Sequence, residues 1–415
     1  MSNSLIVNGL ADAASFADNT TRYVPISGRI IGGQATEANV EIPVRDGGTF
    51  SNLFVYVPTS NASSTSTITL RKSQAPTAVT LTYTGDQTGI KEDTANSVLF
   101  ANTDEVAYEV VVPNETGTNS LEISMFGIQF APTTSTDTIG YFVLQSGVTL
   151  ALASSTYYFT PTGLVANTVF AEAQAKYRAR ASFTISELYA NVSANSRSSS
   201  TVFTTRKNGA GGGQTFTYTA GQTGTKEDTV GTDSLVAGDD FCYEVVTGTG
   251  TATITLTMIS CSCISTAGFF PLLSGSTAGV AIAANTTNYV APSGTLDLNA
   301  AEANCQIYPR FTFTASELGA YVTANTSTVL ACTVTLRDNG GDGALTVSYA
   351  AGQTGLKNDS VNTDAITTGA DEIDYEITNS DLVGTLTFSW IGVLGSTAAA
   401  PVTATIHKMM LMGIS

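Results

Sequence analysis

Residue types that commonly carry catalysis are scarce in this chain. His407 is the single histidine among 415 residues, so a Ser-His or Cys-His pair cannot recur along the chain. Cys261 and Cys263 are separated by one residue, whereas paired cysteine ligands of zinc are usually separated by about two to four. We therefore predict no catalytic residue, no cofactor and no metal site built from cysteines.

Acidic residues recur in two patterns that are able to supply oxygen ligands to calcium. Three aspartates follow glycine-containing turns and three acidic pairs precede strands that contain Tyr-Glu: Asp93, Asp228 and Asp359, then Asp104-Glu105, Asp239-Asp240 and Asp371-Glu372. An aspartate in a turn commonly accepts hydrogen bonds from its own backbone, and no ligand run of the EF-hand kind is present. The sequence therefore favours turn-stabilising aspartates over a calcium site. Glycoside hydrolysis requires two carboxyl groups at a fixed separation across a cleft, and nothing in the sequence indicates such a cleft.

The regularly spaced basic residues allow two interpretations. These residues are Lys91, Lys226 and Lys357, together with Arg71, Arg206 and Arg337. In the first interpretation they pair on the surface with nearby acids such as Glu92, Glu227 and Asp359, and each pair contributes about 0–1 kcal/mol. In the second, the three lysines present a threefold pattern of charge to an acidic partner. We prefer the first interpretation.

The spacing of these residues shows that one unit has been copied twice. A turn sequence, Gly-Asp-Gln-Thr-Gly in copy one and Gly-Gln-Thr-Gly in the other two, places Gln87, Gln222 and Gln353 at steps of 135 and 131 residues, and the three arginines keep the same two steps. Such a period is far longer than the roughly 20 to 50 residues of a solenoid repeat and matches the length of a complete domain. We predict three homologous domains, at residues 1–138, 139–266 and 267–415.

Each copy consists of short runs in which apolar and polar residues alternate, separated by Gly and Asn turns. This pattern predicts an all-β fold of three tandem homologous β-sandwich domains, jelly-roll-like, arranged as a pseudo-trimer. Residues 184–188 and 314–318 are predicted to form a turn. They resemble a helix capping box, but the residues that follow, 189–192 and 319–322, are strand-like, so a one-turn helix is disfavoured. Residues 141–147 and 269–275 align with the opening strand of copy one, which predicts short connections and close contact between the domains.

Composition excludes several classes of partner. The chain is 42% hydrophobic and 12% charged, with a net charge of −17, which is too apolar for disorder and argues against nucleic acid and anionic lipid as partners. The N-terminus lacks the basic segment and apolar run of a secretory signal, and no apolar run reaches the roughly 18 residues of a membrane span. We expect a soluble chain made in a cytoplasm.

Three further features of the second and third copies lead to expectations. The five cysteines, Cys242, Cys261, Cys263, Cys305 and Cys332, are odd in number and absent from copy one, so free thiols are expected. Trp390 is expected in a core or in a contact between domains rather than stacked on a sugar. The apolar segment 402–412 is expected to pair with copy one or to dock on a partner.

The third copy carries the sequence Thr-Val-Thr-Leu-Arg-Asp-Asn-Gly at 333–340, followed by Ala-Leu-Thr-Val-Ser-Tyr-Ala-Ala-Gly-Gln-Thr-Gly at 344–355. This pattern, and Thr-Arg-Lys-Asn-Gly at 205–209, resembles structural proteins of tailed bacteriophages and related viral sequences. Copy one has Arg-Lys-Ser-Gln at 71–74 and lacks Asn-Gly, so its hairpin is predicted to differ. The resemblance implies a jelly-roll virion component of the head-decoration, cement or fibre kind.

Three fused homologous domains also remove the entropic cost of assembling three protomers, which suits a threefold or quasi-threefold position on a capsid. We predict a non-enzymatic virion protein, made in the host cytoplasm, that decorates and stabilises the capsid. Its expected partners are the major capsid protein or other virion proteins, with further self-association left open. The alternative is a tail or head fibre or receptor-binding protein that recognises host-surface glycans. The placement of most Tyr and Trp residues in strands weighs mildly against sugar binding.

Overall fold

The computed structural model describes residues 3–30, 33–114, 119–133, 137–164, 171–250, 252–369 and 371–397. Domain one contains β1 (Ser4–Ala17), β2 (Thr20–Val24), β3 (Ile42–Pro43), β4 (Gly48–Val57), β5 (Thr59–Ser60), β6 (Thr65–Lys72), β7 (Ala75–Thr84), β8 (Gly89–Phe100), β9 (Glu105–Val112) and β10 (Ser120–Pro132), with a 3-10 turn at Glu37–Asn39.

Domain two contains β11 (Thr138–Leu150), β12 (Thr156–Phe159), β13 (Gly163–Leu164), β14 (Tyr177–Arg178), β15 (Phe183–Asn195), β16 (Thr201–Lys207), β17 (Ala210–Tyr218), β18 (Gly224–Leu235), β19 (Asp240–Thr247) and β20 (Ile254–Ser265), with the one-turn helix α1 (Glu172–Ala175). Domain three contains β21 (Phe269–Ile282), β22 (Thr286–Val290), β23 (Gly294–Thr295), β24 (Phe313–Asn325), β25 (Cys332–Asp338), β26 (Gly341–Tyr349), β27 (Gly355–Ile366), β28 (Ile373–Asn379) and β29 (Leu386–Ser396), with a 3-10 turn at Glu302–Asn304.

The eight long strands of each domain form two four-stranded sheets. In domain one the strand orders are β1-β10-β4-β8 and β2-β9-β6-β7, which are positions 1-8-3-6 and 2-7-4-5 when the long strands are counted along the chain. Domain two repeats both orders as β11-β20-β15-β18 and β12-β19-β16-β17, and domain three as β21-β29-β24-β27 and β22-β28-β25-β26. This is the eight-stranded jelly-roll topology. The predicted all-β fold of three tandem jelly-roll sandwiches is confirmed.

The turn predicted at residues 184–188 and 314–318 is wrong, because these residues lie within strands β15 and β24. Glu187 and Glu317 interrupt these strands with backbone φ angles of +59° and +57°. The pairing register shifts at both residues. Each is therefore a β-bulge, the device that bends a strand and redirects its side chains.

The domains close into a ring, because the core of each one receives side chains from the next. The core of domain one contains Met258 of domain two, and the core of domain two contains Trp390 of domain three. The core of domain three contains Met125 of domain one. These three residues occupy equivalent positions in β20, β29 and β10, so the arrangement is a pseudo-trimer.

The opening strands β1, β11 and β21 line the centre of the ring. Strand β13 pairs in parallel with β11 and β21, and β23 pairs in parallel with β21 and β1. These short bridges join the inner sheets of the three domains into one sheet. Their glycines are required by close approach: a Cβ on Gly163 lies 1.8 Å from the Gly275 carbonyl oxygen, and one on Gly294 lies 2.6 Å from the Gly9 nitrogen.

The repeated turn that ends in Gln-Thr-Gly makes the same hydrogen bonds in all three copies, although copy one has an additional aspartate before the glutamine. The glutamine Oε1 accepts the backbone N–H three residues earlier, at 2.9 Å for Gln87, 3.1 Å for Gln222 and 2.9 Å for Gln353. A buried tyrosine, at 83, 218 or 349, donates its hydroxyl across the sandwich to a carbonyl of β4, β15 or β24. The same hydroxyl also bonds the carbonyl of the turn's final glycine. The repeat therefore fixes the position of the turn against the opposite sheet.

The prediction that the hairpin of copy one differs is wrong. Ser73 and Gln74 take φ angles of +45° and +65°, as Asn208 and Gly209 do at +52° and +79°. Both hairpins close with two turn residues, pairing Lys72 with Ala75 and Lys207 with Ala210. The hairpin closes this way because Ser73 reproduces the contacts of the asparagine, accepting the N–H of Glu105 at 3.2 Å.

Exchanging the turn residues between the two copies is expected to change stability in opposite directions. Left-handed backbone costs a non-glycine residue about 1–2 kcal/mol, and Asn-Gly is the preferred pair for this turn. We expect Ser73→Asn with Gln74→Gly to raise the free energy of unfolding by about 1 kcal/mol. The relief of backbone strain is larger than this, but the loss of the Gln74 hydrogen bond to Glu41 offsets part of it. The reverse exchange, Asn208→Ser with Gly209→Gln, should lower it. Urea unfolding measures both, and changes of the same sign would contradict this account.

Candidate assembly surface

The three repeated arginines are partly buried in acidic clusters within their own domains. Arg71 forms a two-point contact with Glu37 at 3.0 and 2.9 Å and lies 3.6 Å from Glu109. Arg206 repeats this with Glu172 and Glu244, and Arg337 with Glu302 and Glu376. The guanidinium groups of Arg71 and Arg206 also lie 5.8 Å from the rings of Tyr23 and Tyr158. The arginines hold the outer sheet to the loop that follows β2, β13 or β23, and they are not surface charges for a partner.

The predicted pairing of these basic residues with Glu92 and Glu227 is also wrong. Lys91 and Lys226 donate to carbonyls of the preceding strand at 2.6 Å, so their charges support the Gln turn. Glu92 instead binds Arg310 of domain three at 2.8 Å, and Glu227 binds Arg45 of domain one. Residue types alone could not show this, because the partners belong to a neighbouring domain.

One arginine at an equivalent position in each domain crosses to the next domain around the ring. Arg45 lies 3.5 Å from Glu187 of domain two, Arg180 binds Glu317 of domain three at 2.9 Å, and Arg310 returns to Glu92 of domain one. Two of the acids are the bulge residues of β15 and β24, so the bulge aims a carboxylate at the neighbouring domain. The three interfaces are quasi-equivalent, and the ring is closed.

The repeated aspartates hold turns. Asp93 accepts the N–H groups of Ala95 and Asn96 at 3.2 and 3.0 Å, and that of Thr80 at 3.0 Å. Asp228 and Asp359 repeat this arrangement. Burial raises the pKa of Asp93, but these hydrogen bonds outweigh it and leave the pKa below its usual value.

The acidic pairs also contact nearby residues of their own domains. Asp104 and Asp239 form ion pairs with Lys72 and Lys207 at 2.9 and 3.1 Å, and Asp371 accepts from Asn339 at 3.0 Å. Within the described residues, no three His, Cys, Asp or Glu side chains are grouped so that they could hold a metal ion.

All five cysteines are buried, and within the described part of the chain none of them forms a disulfide bond, as predicted. Cys261 lies 3.1 Å from the Tyr243 hydroxyl, and burial raises the pKa of its thiol. A thiol with a raised pKa is a poor nucleophile. His407 and the segment 402–412 lie outside the described residues.

Four exposed aliphatic side chains lie together at the end of domain three. Val329 and Leu330 follow β24, and Leu382 and Val383 follow β28; their side chains are 76%, 44%, 75% and 58% exposed. We call these four residues the apolar knob. The corresponding loop after β15 in domain two is Ser-Arg-Ser-Ser-Ser at 196–200. Adjacent aliphatic residues in two loops of one domain were a signal in the sequence that our prediction missed.

A single buried carboxylate fixes the shape of the knob. Asp381 Oδ2 accepts the N–H groups of Thr328, Val329 and Leu330 at 2.6, 2.7 and 3.2 Å, and Oδ1 accepts that of Val383 at 3.1 Å. These hydrogen bonds lower the pKa of Asp381 to about 2. The aspartate therefore stays ionised at neutral pH and holds both loops in one arrangement.

Comparisons with known proteins leave the family open. No protein-family model matches the chain, and no curated protein matches it. Among solved structures, an archaeal virus protein described by its triple jelly roll fold and turret assembly is 12% identical, with 86% of this chain and 81% of that chain covered and a TM-score of 0.18.

Two further solved structures are similar at the same low level. Paenibacillus xanthan lyase is 12% identical, with 68% of this chain and 30% of that chain covered and a TM-score of 0.18. The insecticidal delta-endotoxin Cry8Ea1 of Bacillus thuringiensis is 9% identical, with 61% and 60% covered and a TM-score of 0.16. These TM-scores are low, so the fold assignment rests on the strand orders given above. Among the described residues, no helix is both long and apolar enough to cross a membrane.

Proposed function

We propose that the chain is a structural protein of a virus particle, a capsid decoration or cement protein that binds the major capsid protein. The observation that carries the proposal is the apolar knob, which one domain of a closed ring holds out to solvent on a fixed backbone. Jelly rolls also occur in lectins and enzymes, so the fold by itself does not determine the function.

The ring supports the proposal because its internal contacts are satisfied within one chain. Each domain uses one arginine and one core position to bind its neighbour, which leaves the loop ends of the sandwiches for other contacts. Four clustered aliphatic side chains in water are a feature of protein-binding surfaces. A rigid surface loses less conformational entropy on binding than a flexible one. A pseudo-threefold ring of this kind suits a threefold or quasi-threefold position on a shell.

Cryo-electron microscopy of purified particles tests the proposal. We expect density for the three-domain ring on the capsid shell, in a fixed ratio to the major capsid subunit, with the knob of domain three facing the shell. Density confined to tail tips or fibres would overturn the capsid assignment and favour the receptor-binding alternative. Absence of the chain from purified particles would overturn the virion assignment altogether.

Removing the knob is expected to weaken particle binding by about 100-fold. Val329→Ser with Leu382→Ser deletes two large apolar contacts, each contributing about 1.5 kcal/mol or more when buried, and 1.4 kcal/mol is tenfold in affinity. The control is Val230→Ser with Val361→Ser, because these valines are 89% and 87% exposed but lie apart on β18 and β27. Sedimentation with capsids that lack the protein measures both. Equal loss in both variants would show that the knob is not the contact.

A further inference from the structure

Each copy has an acidic residue at or just before the start of one strand: Glu105 in β9, Asp240 in β19 and Glu372 before β28. The three copies differ in the residue that lies opposite this acid. Pro43 pairs with Glu105 in domain one, and Arg178 pairs with Asp240 in domain two. In domain three, Ile307 bridges Ile373, which places Tyr308 opposite Glu372. The acid is therefore present in every copy, whereas the residue opposite it is proline, arginine or tyrosine.

In domains two and three that opposite residue binds the acid. Arg178 Nε donates to Asp240 Oδ1 at 2.7 Å, and Lys176 lies 3.8 Å from the other oxygen. The Tyr308 hydroxyl donates to Glu372. Arg178 also lines a cleft of about 170 Å³ where domain two meets Tyr321 and Leu356 of domain three. In that interface the guanidinium group is supplied by the chain itself.

In the equivalent cleft between domains one and two, no guanidinium lies opposite the acid, because proline occupies that position. The cleft has a volume of about 290 Å³ and is lined by Pro43, Arg45, Glu105, Tyr189 and Lys226, among others. Close to Glu105 is Glu41, at the position of Lys176 in domain two, so a second acid replaces a base. Glu41 is 1% exposed; Gln74 donates to its Oε2 at 3.2 Å, and among the described residues its Oε1 has no hydrogen-bond partner. The Tyr189 side chain is also buried and lines the cleft.

The cations near this cleft are held by other groups. Arg45 binds Glu187 and Glu227, and Lys226 Nζ donates to the Thr217 carbonyl at 2.6 Å. Glu37, which lies near Glu41, is bound by Arg71. Among the described residues, Glu105 and Glu41 therefore form an acid pair without an ion-pair partner. Burial, and then the charge of Glu105, raises the pKa of Glu41 to about 7.

We propose that the cleft between domains one and two binds a guanidinium or alkylammonium group, which takes the place that Arg178 fills between domains two and three. Glu105 accepts its hydrogen bonds, with Tyr189 lining the cleft and the buried carboxyl group of Glu41 close to Glu105. The group belongs either to a small organic cation or to an arginine or lysine side chain of a partner. Binding ionises Glu41, so affinity increases as the pH rises through about 7.

Saturation-transfer NMR with methylguanidinium chloride on the full chain tests the site, at an ionic strength held constant with NaCl. We expect one saturable site per chain, bound at least fivefold more tightly at pH 8 than at pH 6. Glu105→Gln should weaken binding at least tenfold. Pro43→Arg, which introduces the residue of domain two, should abolish it by filling the cleft. Asp342→Asn, which removes an exposed acid elsewhere, should change nothing.

A second probe distinguishes the two sources of the cation. N-acetylarginine methylamide should bind as tightly as methylguanidinium if the cleft receives a partner's side chain, and at least tenfold more weakly if it admits only a small free cation. Circular dichroism establishes that the variants are folded. The absence of saturable binding, or binding that Pro43→Arg leaves unchanged in a folded protein, overturns the proposal. The virion assignment does not depend on this result.

Discussion

Trp390→Ala is expected to lower the free energy of unfolding by about 3–5 kcal/mol, the usual range for deleting a buried aromatic side chain. The indole is 1% exposed and lies in the core of domain two, although Trp390 belongs to β29 of domain three. Its Nε1 donates to the Lys176 carbonyl at 2.7 Å, and its ring centroid lies 5.3 Å from that of Tyr177. Truncation leaves a cavity and an unpaired carbonyl at one of three interfaces, so we expect the ring to open there first.

Urea unfolding followed by far-UV circular dichroism measures this loss, because the variant lacks the single tryptophan of the chain. A loss below about 1 kcal/mol would show that the indole does not support the interface. The matched control is Met125→Ala, which truncates the equivalent residue between domains three and one. It should cost about 2–4 kcal/mol, within the range for buried methionine.

A double-mutant cycle separates packing from simple loss of volume. A Cβ on Gly319 lies 3.1 Å from the Trp390 ring, and domain two has Tyr189 and Met258 at these two positions. We expect Trp390→Met and Gly319→Tyr each to destabilise the protein. The double variant, which copies the pair of domain two, should recover at least 1 kcal/mol of the summed loss. Strict additivity would contradict direct packing between the two positions.

The fold followed from the sequence because its signals are local and are written three times. The period of about 133 residues identified three domains, and the alternation of apolar and polar residues identified strands. The expectation that Trp390 lies in a core or in a contact between domains is also confirmed. It rested on the same alternation, because successive side chains of a strand point to opposite faces of the sheet and the apolar ones face inward. The hairpin of copy one was mispredicted because surrounding strands impose the turn geometry even on Ser73 and Gln74.

The interface residues did not follow from the sequence, because charge pairing across domains depends on three-dimensional proximity. Glu92 and Glu227 sit next to a lysine in sequence, and that neighbour suggested local pairing. Their actual partners, Arg310 and Arg45, are distant along the chain. A β-bulge at Glu187 or Glu317 carries no distinctive local pattern, since a non-glycine residue at positive φ is set by tertiary packing. The knob was missed because its two loops are 53 residues apart at Val329 and Leu382.

Triplication also shows where the copies have diverged beneath the repeated arginines. Arg71 pairs in register with Ala107, Arg206 with Cys242, and Arg337 with Asp374. Only the third copy therefore places a carboxyl group here. Asp374 is fully buried and lies beside the carboxylate of Glu302. Burial and the charges of Glu302 and Glu376 raise its pKa to about 8, although Arg337 opposes this.

Asp374→Asn is therefore expected to stabilise the protein by an amount that depends on pH. In the unfolded chain this aspartate ionises near pH 4, whereas in the fold it stays protonated up to about pH 8. Between these two pH values, folding requires the carboxyl group to stay protonated although it would ionise in the unfolded chain. The wild-type protein therefore loses no stability from this group below about pH 4 and loses progressively more as the pH rises to about 8. Asparagine is neutral throughout and avoids the loss. We expect little difference between the two proteins at pH 4 and a gain of roughly 4 kcal/mol at pH 7, from about 1.4 kcal/mol per unit.

Denaturant unfolding of both proteins at several values between pH 4 and pH 9 measures this difference directly. The matched control is Asp342→Asn, since Asp342 also contacts Arg337 but its side chain is 69% exposed. Its effect should stay below about 1 kcal/mol, because water already solvates that carboxylate. A gain from Asp374→Asn that is the same at pH 4 and pH 8 would mean that the amide improves packing or hydrogen bonding. In that case the buried carboxyl group would not be the source of the pH dependence.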